Sequence, residues 1–142
     1  MTIGAILARK GGDVVSVEGD SSVGDAINLL AEKRIGALPV VDQGAVLGVF
    51  SERDVIYCLR SDGPTMLGWA VSRVMTAPAI TVTVDVSVLS AMSQMTRRRI
   101  RHLPVVDDGR LIGIVSIGDL VKFRIDRIEE EAEALRTYIT QA

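Results

Sequence analysis

The 142-residue chain carries 16 Lys and Arg against 18 Asp and Glu, a formal net charge of -2, so no global field draws it to nucleic acid or to an acidic membrane. Apolar residues make up 48% of it but aromatics only 4%, which leaves Val, Ile, Leu, Ala and Met to fill an aliphatic core. The lone Cys58 excludes an internal disulfide and the lone His102 excludes a His-based metal cluster. With no secretory leader pattern and no apolar run of about 18 residues, a cytoplasmic protein without a membrane segment is expected.

In chain order, residues 1–13 form an amino-terminal segment. Val14, Val15 and Val17 then make a short β-branched strand that ends at the turn Gly19-Asp20-Ser21-Ser22. Ser22 with Asp25 reads as a helix start, and Val23, Ala26, Ile27, Leu29 and Leu30 recur at helical spacing to about Lys33. Ala37 to Asp42 and Ala45 to Phe50 are apolar runs around Gln43-Gly44, a predicted β-hairpin, and a second helix starts at Ser51 and runs to about Leu59. The unit over 14–60 is β-α-β-β-α.

A breaker-rich loop, Arg60-Ser61-Asp62-Gly63-Pro64, opens a connector over 61–78, with helical character from Leu67 to Met75 and a stop at Ala77-Pro78. The elements then recur over 79–124. A strand is expected at Ile80 to Val84, a helix at Ser87 to Arg98, a strand at His102 to Asp107, an Asp108-Gly109 turn, a strand at Leu111 to Val115 and a helix from Ser116. Residues 125–142 continue that last helix. Val121, Ile125, Ile128, Ala132, Leu135 and Ile139 form a seam that wants a partner, either the chain's own Ile3 to Leu7 or a second copy.

The recurrence is an internal duplication. Residues 16–57 laid over 81–122 without a gap give 16 identities in 42 positions, among them Leu38-Pro39-Val40-Val41-Asp42 with Leu103-Pro104-Val105-Val106-Asp107, and Ser51 and Asp54 with Ser116 and Asp119. A repeated unit of this size needs its copy for stability, so the two halves are expected to share a core. The Leu-Pro-Val-Val segments are core first, their prolines tolerated at a strand start or edge. Met92 and Met95 read as flexible core fillers. Trp69 reads as a cover over apolar surface, with stacking on a base left open.

The run Arg34-Ile35-Gly36-Ala37-Leu38-Pro39-Val40-Val41-Asp42, a Gly-turn hairpin and Gly48-Val49-Phe50-Ser51-Glu52-Arg53-Asp54, present twice, resembles the CBS domain, named after cystathionine β-synthase. Two in tandem resemble a stand-alone Bateman module and cover nearly the whole chain. The resemblance implies an α/β fold of two tandem repeats about a pseudo-twofold axis with a C-terminal helical extension, and a homodimeric disc. It also implies a regulatory module without catalysis or required cofactor. Such a module holds AMP, ADP or ATP, with S-adenosylmethionine a further candidate, in clefts between the repeats and signals to an unidentified effector protein. By the same resemblance Ser51 with Asp54, and Ser116 with Asp119, face ribose and phosphate. Ile35, Gly36 and Ala37 in one copy, and Ile100, Arg101 and His102 in the other, line the base and phosphate region.

The residue types suit those roles. A Ser at a helix start offers free backbone N–H groups and the positive end of the dipole to a phosphate, and the Asp three residues on can accept from both ribose hydroxyls. The same pair is also a capping arrangement worth about 1 kcal/mol with no ligand at all. Arg97-Arg98-Arg99-Ile100-Arg101 is the densest positive stretch. It serves a helix C-terminus, or a phosphate through at least one of its members, and lacks the interleaved aromatics of a nucleic-acid surface. Arg53 is a second phosphate candidate whose counterpart is Gly118, so two unequal clefts are expected, Arg53 with Gly36-Ala37 and Gly118 with Arg101-His102. The alternative is a ligand-free interaction module that docks a protein through its C-terminal helix.

Overall fold

The computed structural model describes residues 1–141. Its elements are α1 (Ile3–Lys10), β1 (Val17–Glu18), α2 (Val23–Lys33), β2 (Ala37–Asp42), β3 (Ala45–Ser51), α3 (Glu52–Asp62), a 3-10 helix (Gly63–Gly68), α4 (Val71–Val74), α5 (Val88–Arg98), β4 (His102–Asp107), β5 (Arg110–Ser116) and α6 (Ile117–Gln141). Local chemistry sets most of these bounds. The Oγ of Ser22 accepts from the Asp25 N–H at 3.1 Å and that of Ser87 from the Ser90 N–H at 3.0 Å, which starts α2 and α5. Both helices end on a left-handed arginine, Arg34 and Arg99, each at φ 54°, and the next N–H reaches back five residues, Ile35 to Leu30 and Ile100 to Met95. In both hairpins the turn pair, Gln43-Gly44 and Asp108-Gly109, has positive φ throughout, as a two-residue turn matched to strand twist requires.

The strands form one sheet in the order β1-β2-β3-β5-β4. β2 with β3 and β4 with β5 are full antiparallel hairpins, but β3 meets β5 only at the pair Ala45 and Arg110, with the Leu111 N–H on the Gly44 carbonyl at 3.0 Å. The repeats therefore touch at their hairpin tips and do not share a core. One buried cluster holds Val23, Leu38, Val40, Phe50, Met66 and Val71, and the other holds Ile3, Ile6, Val82, Val88, Met95, Leu103, Val105 and Leu120. What supplements each half is a short helix that precedes the other half in sequence.

That exchange is symmetric. The Ile3 and Gly4 N–H groups bond the Val86 and Val84 carbonyls of the second repeat at 2.9 Å each, while Val71 and Ser72 bond Ser21 and Gly19 of the first at 2.8 and 3.0 Å. Acceptors 65 residues apart in corresponding bonds express the pseudo-twofold axis. Gly48 and Gly113, mid-strand in β3 and β5, make room for the exchanged segments: an added Cβ would lie 2.6 Å from the Thr76 carbonyl oxygen in one and 2.8 Å from the Leu7 side chain in the other.

Further expectations change, beginning with the first strand, which keeps only Val17 of the expected Val14, Val15 and Val17 and adds Glu18. The strand expected at Ile80 to Val84 is a single bridge, Val82 to Val105, since Val82 and Val106 make its only pair of bonds to β4. The expected loop at Arg60 to Pro64 is helical, because α3 continues to Asp62 and a 3-10 helix begins at Gly63, with Pro64 in its first turn where a missing N–H costs nothing. The C-terminal helix divides its seam. Its first turns fold back on α1, with Leu120 buried, Phe123 against the second core, and Arg9 over the Phe123 ring at 5.2 Å and paired with Asp126 and Glu130. Ile128, Leu135 and Ile139 stay 49%, 59% and 65% exposed, and Ala142 lies outside the described residues.

Candidate functional site

A cavity of about 310 Å³, large enough for a small ligand, opens between the repeats. Gly36, Ala37, Val49, Ser51, Glu52 and Arg53 form one wall, residues 98–102 the other, and Thr76 and Pro78 of the connector with Ala79 and Ile80 at the start of the second repeat close it. Its position follows from the helix ends. The turns after α2 and α5 deliver Gly36 and Arg101 to the starts of β2 and β4, and each is tied to the start of the next helix. The Glu52 N–H bonds the Gly36 carbonyl at 3.1 Å and the Ile117 N–H bonds the Arg101 carbonyl at 2.9 Å.

Charge in the cavity is strongly positive. Arg53, Arg98, Arg99 and Arg101 face one carboxylate, Glu52, and the amino end of α3 opens at the same wall. The Arg53 guanidinium reaches across to the Arg99 carbonyl at 3.3 Å, which bridges the repeats without neutralising either cation. His102 is held below its usual pKa, first by burial and then by Arg101 and Lys10, against the opposing pull of Asp119 and Glu52. It therefore enters the site near pH 7 as a neutral ring. Gly36 lies close to both walls: an added Cβ would come into contact with the Glu52 carboxylate at 3.4 Å and the His102 ring at 3.5 Å. Val49, Pro78, Ala79, Ile80 and Ile100 supply apolar surface.

Asp54 stands one hydrogen bond behind this wall. Its Oδ2 accepts from the Ser51 N–H at 2.8 Å and the Ser51 hydroxyl at 3.2 Å, and its Oδ1 accepts from the Thr76 hydroxyl at 2.8 Å. The capping role read from the sequence is thus realised, and the hydroxyls that cover the carboxylate are themselves cavity-lining. The second corner has the same cap, Ser116 N–H to Asp119 Oδ2 at 2.8 Å and Asp119 N–H to Ser116 Oγ at 3.1 Å. Its cover differs: the Lys10 ammonium donates to Asp119 Oδ2 at 2.8 Å and to the Ile114 carbonyl at 2.9 Å. Partial burial alone would push the Asp119 carboxyl up, but the hydrogen bonds from Lys10 and Ser116 outweigh it and hold the pKa below the usual carboxylate range.

Of the residues singled out in the sequence, the structure gathers Gly36, Ala37, Ser51, Arg53, Ile100, Arg101 and His102 around one cavity, with Asp54 directly behind. The division expected between two clefts does not hold, because Arg53 and Gly36-Ala37 share a space with Arg101-His102. Ile35 packs on the first core, and Ser116 and Asp119 belong to the other corner. Trp69 packs on the first core with the Arg73 guanidinium 3.6 Å from its ring centre, and Met95 is buried in the second core with Met92 against it. Sequence reasoning missed Thr76, Pro78, Ala79 and Ile80. A signal existed: Gly48 in the middle of a strand marks a close backbone approach, and the segment that approaches ends in Thr76.

The CBS domain model matches residues 3–61 and 71–126. The chain belongs to the CBS-domain family. The CBS domain-containing protein CBSX3, mitochondrial, of Arabidopsis thaliana is 37% identical over 147 aligned residues, 97% of this chain and 71% of the relative. The crystal structure of the CBS-domain containing protein ATU1752 from Agrobacterium tumefaciens aligns with TM-score 0.83 and 42% identity, over 87% of this chain and 99% of that one. The structure of CBSX2 in complex with AMP aligns with TM-score 0.74 and 32% identity, over 88% and 96%. Among the described residues no helix is long and apolar enough to cross a membrane.

Proposed function

We propose that this CBS pair is a regulatory module without catalytic activity, which binds an adenosine nucleotide in the cavity between its repeats. The observation that carries the proposal is the composition of that cavity: four arginines beside apolar surface, in front of a carboxylate whose side-chain partners are two hydroxyls. Phosphate oxygens match the arginines, whose forked donors suit them. The base suits the surface formed by Pro78, Ala79, Ile80, Val49 and Ile100. A ribose hydroxyl can take over the place of the Thr76 or Ser51 hydroxyl at Asp54, since a displaced hydroxyl rotates freely and remains a donor elsewhere. The AMP complex of CBSX2 supports the same ligand class.

Regulation follows from where the ligand sits. Its two walls belong to repeats whose sheets meet at one residue pair, so a nucleotide in contact with both favours the orientation that fits it and biases the pair toward that state. Isothermal titration of the full chain with adenosine, AMP, ADP, ATP and S-adenosylmethionine tests this. The phosphorylated ligands are expected to bind about tenfold or more tighter than adenosine. Flat traces for all five at millimolar concentration would sink the proposal.

A further inference from the structure

The two Ser-x-x-Asp corners superpose in sequence at an offset of 65, and each is covered by a crossing segment, through Thr76 at the first and through Lys10, one position out of that register, at the second. At the first, the Thr76 N–H bonds the Val49 carbonyl at 2.9 Å while the Thr76 hydroxyl bonds Asp54 at 2.8 Å. At the second, the Lys10 ammonium makes both contacts alone, to the Ile114 carbonyl at 2.9 Å and to Asp119 at 2.8 Å, and Ile114 is the counterpart of Val49. A cation thus stands where the first corner has a backbone amide and a hydroxyl. The ammonium shares Oδ2 of Asp119 with the Ser116 N–H, whereas Thr76 takes Oδ1 of Asp54, so the two covers meet different oxygens of the matching carboxylates.

Lys10 is held in this place. It is the last residue of α1, whose Leu7 side chain seats over Gly113 of β5, and its neighbour Arg9 is fixed on the opposite side by Asp126, Glu130 and the Phe123 ring of α6. A hydroxyl cedes an acceptor to an incoming ribose by rotation. An ammonium cedes it less readily, because its departure removes the counter-charge of a carboxylate whose side chain is only 28% exposed.

We infer that Lys10 fills the ribose position of the second corner, so that one chain holds a single adenosine nucleotide, at the Asp54 corner, and Lys10 is the residue that decides this. The inference rests on the proposed nucleotide binding for its ligand, and its test separates the two. AMP is titrated into the full-length wild type, Lys10→Met and Lys10→Ala, with the number bound per chain read by calorimetry and native mass spectrometry, and folding checked by thermal melts. Wild type is expected to bind one AMP and the variants two, the first with affinity within about twofold of wild type, and Asp119→Asn added to Lys10→Met returns the count to one. Two AMP on wild type, or one on wild type and still one on both folded variants, overturns the role of Lys10 while nucleotide binding stands. No AMP on wild type but one on the variants upholds Lys10 and overturns the open first cleft. No AMP on any of them overturns both.

Discussion

The two Ser-x-x-Asp corners share the Ser, the Asp and the cap from the Ser N–H to the Asp Oδ2, and differ in the residues between, Glu52-Arg53 against Ile117-Gly118, and in what lies over the carboxylate. At Asp54 the cover is two neutral hydroxyls that also line a cavity of about 310 Å³; at Asp119 it is an ammonium from a helix that belongs, in sequence, to the start of the other repeat. Duplication therefore produced two equivalent frames, and the exchanged segments made them unequal. A site in such a protein is set less by its motif than by the segment that crosses it.

The largest expected effect that can break this comparison is on binding. Asp54→Ala should weaken AMP by roughly 10- to 100-fold, the loss of a hydrogen-bonded charge, while Asp119→Ala leaves affinity within about twofold. Equal losses, measured by calorimetry, would show the corners to be equivalent. Next in size is the packing of the crossing segments. Gly48→Ala drives a Cβ against the Thr76 backbone oxygen and should cost roughly 1–3 kcal/mol in urea denaturation, whereas Gly113→Ala meets only the flexible end of Leu7 and should stay within about 1 kcal/mol of wild type.

The smallest effect is on acid stability, through His102 in the cavity and Asp119 at the second corner. His102 has a depressed pKa in the fold, so its neutral form is favoured there. Stability is complete above the unfolded-chain value of about 6.5 and declines as pH falls below it, until the folded value is passed. Asp119 is depressed too, so its contribution is complete above about 3.9 and is lost as pH falls through the lower folded value. Urea midpoints from pH 7.5 to 3 should show both windows, the upper one flattened by His102→Asn and the lower one by Lys10→Met. A lower window unchanged in Lys10→Met would mean the ion pair adds nothing beyond the cap.

By itself the sequence determined the α-β-β-α order of each repeat, its hairpins and its capped helices, because each is written in contacts a few residues apart: Ser22 with Asp25, Asp108 with Gly109, Ser51 with Asp54. It also supplied most residues of the cavity, since the duplicated motif marks them twice. Only the tertiary structure decided that the repeats keep separate cores, that Ile80 to Val84 forms one bridge in place of a strand, and that Arg53 and Arg101 line one cavity. It alone placed Thr76 on Asp54 and Lys10 on Asp119. Those contacts span 22 and 109 residues, and no periodicity or cap encodes which of several exposed donors a crossing segment will bring to a carboxylate. The path of the chain between the repeats encodes it, and that path is fixed by burying α1 against the second core and α4 against the first.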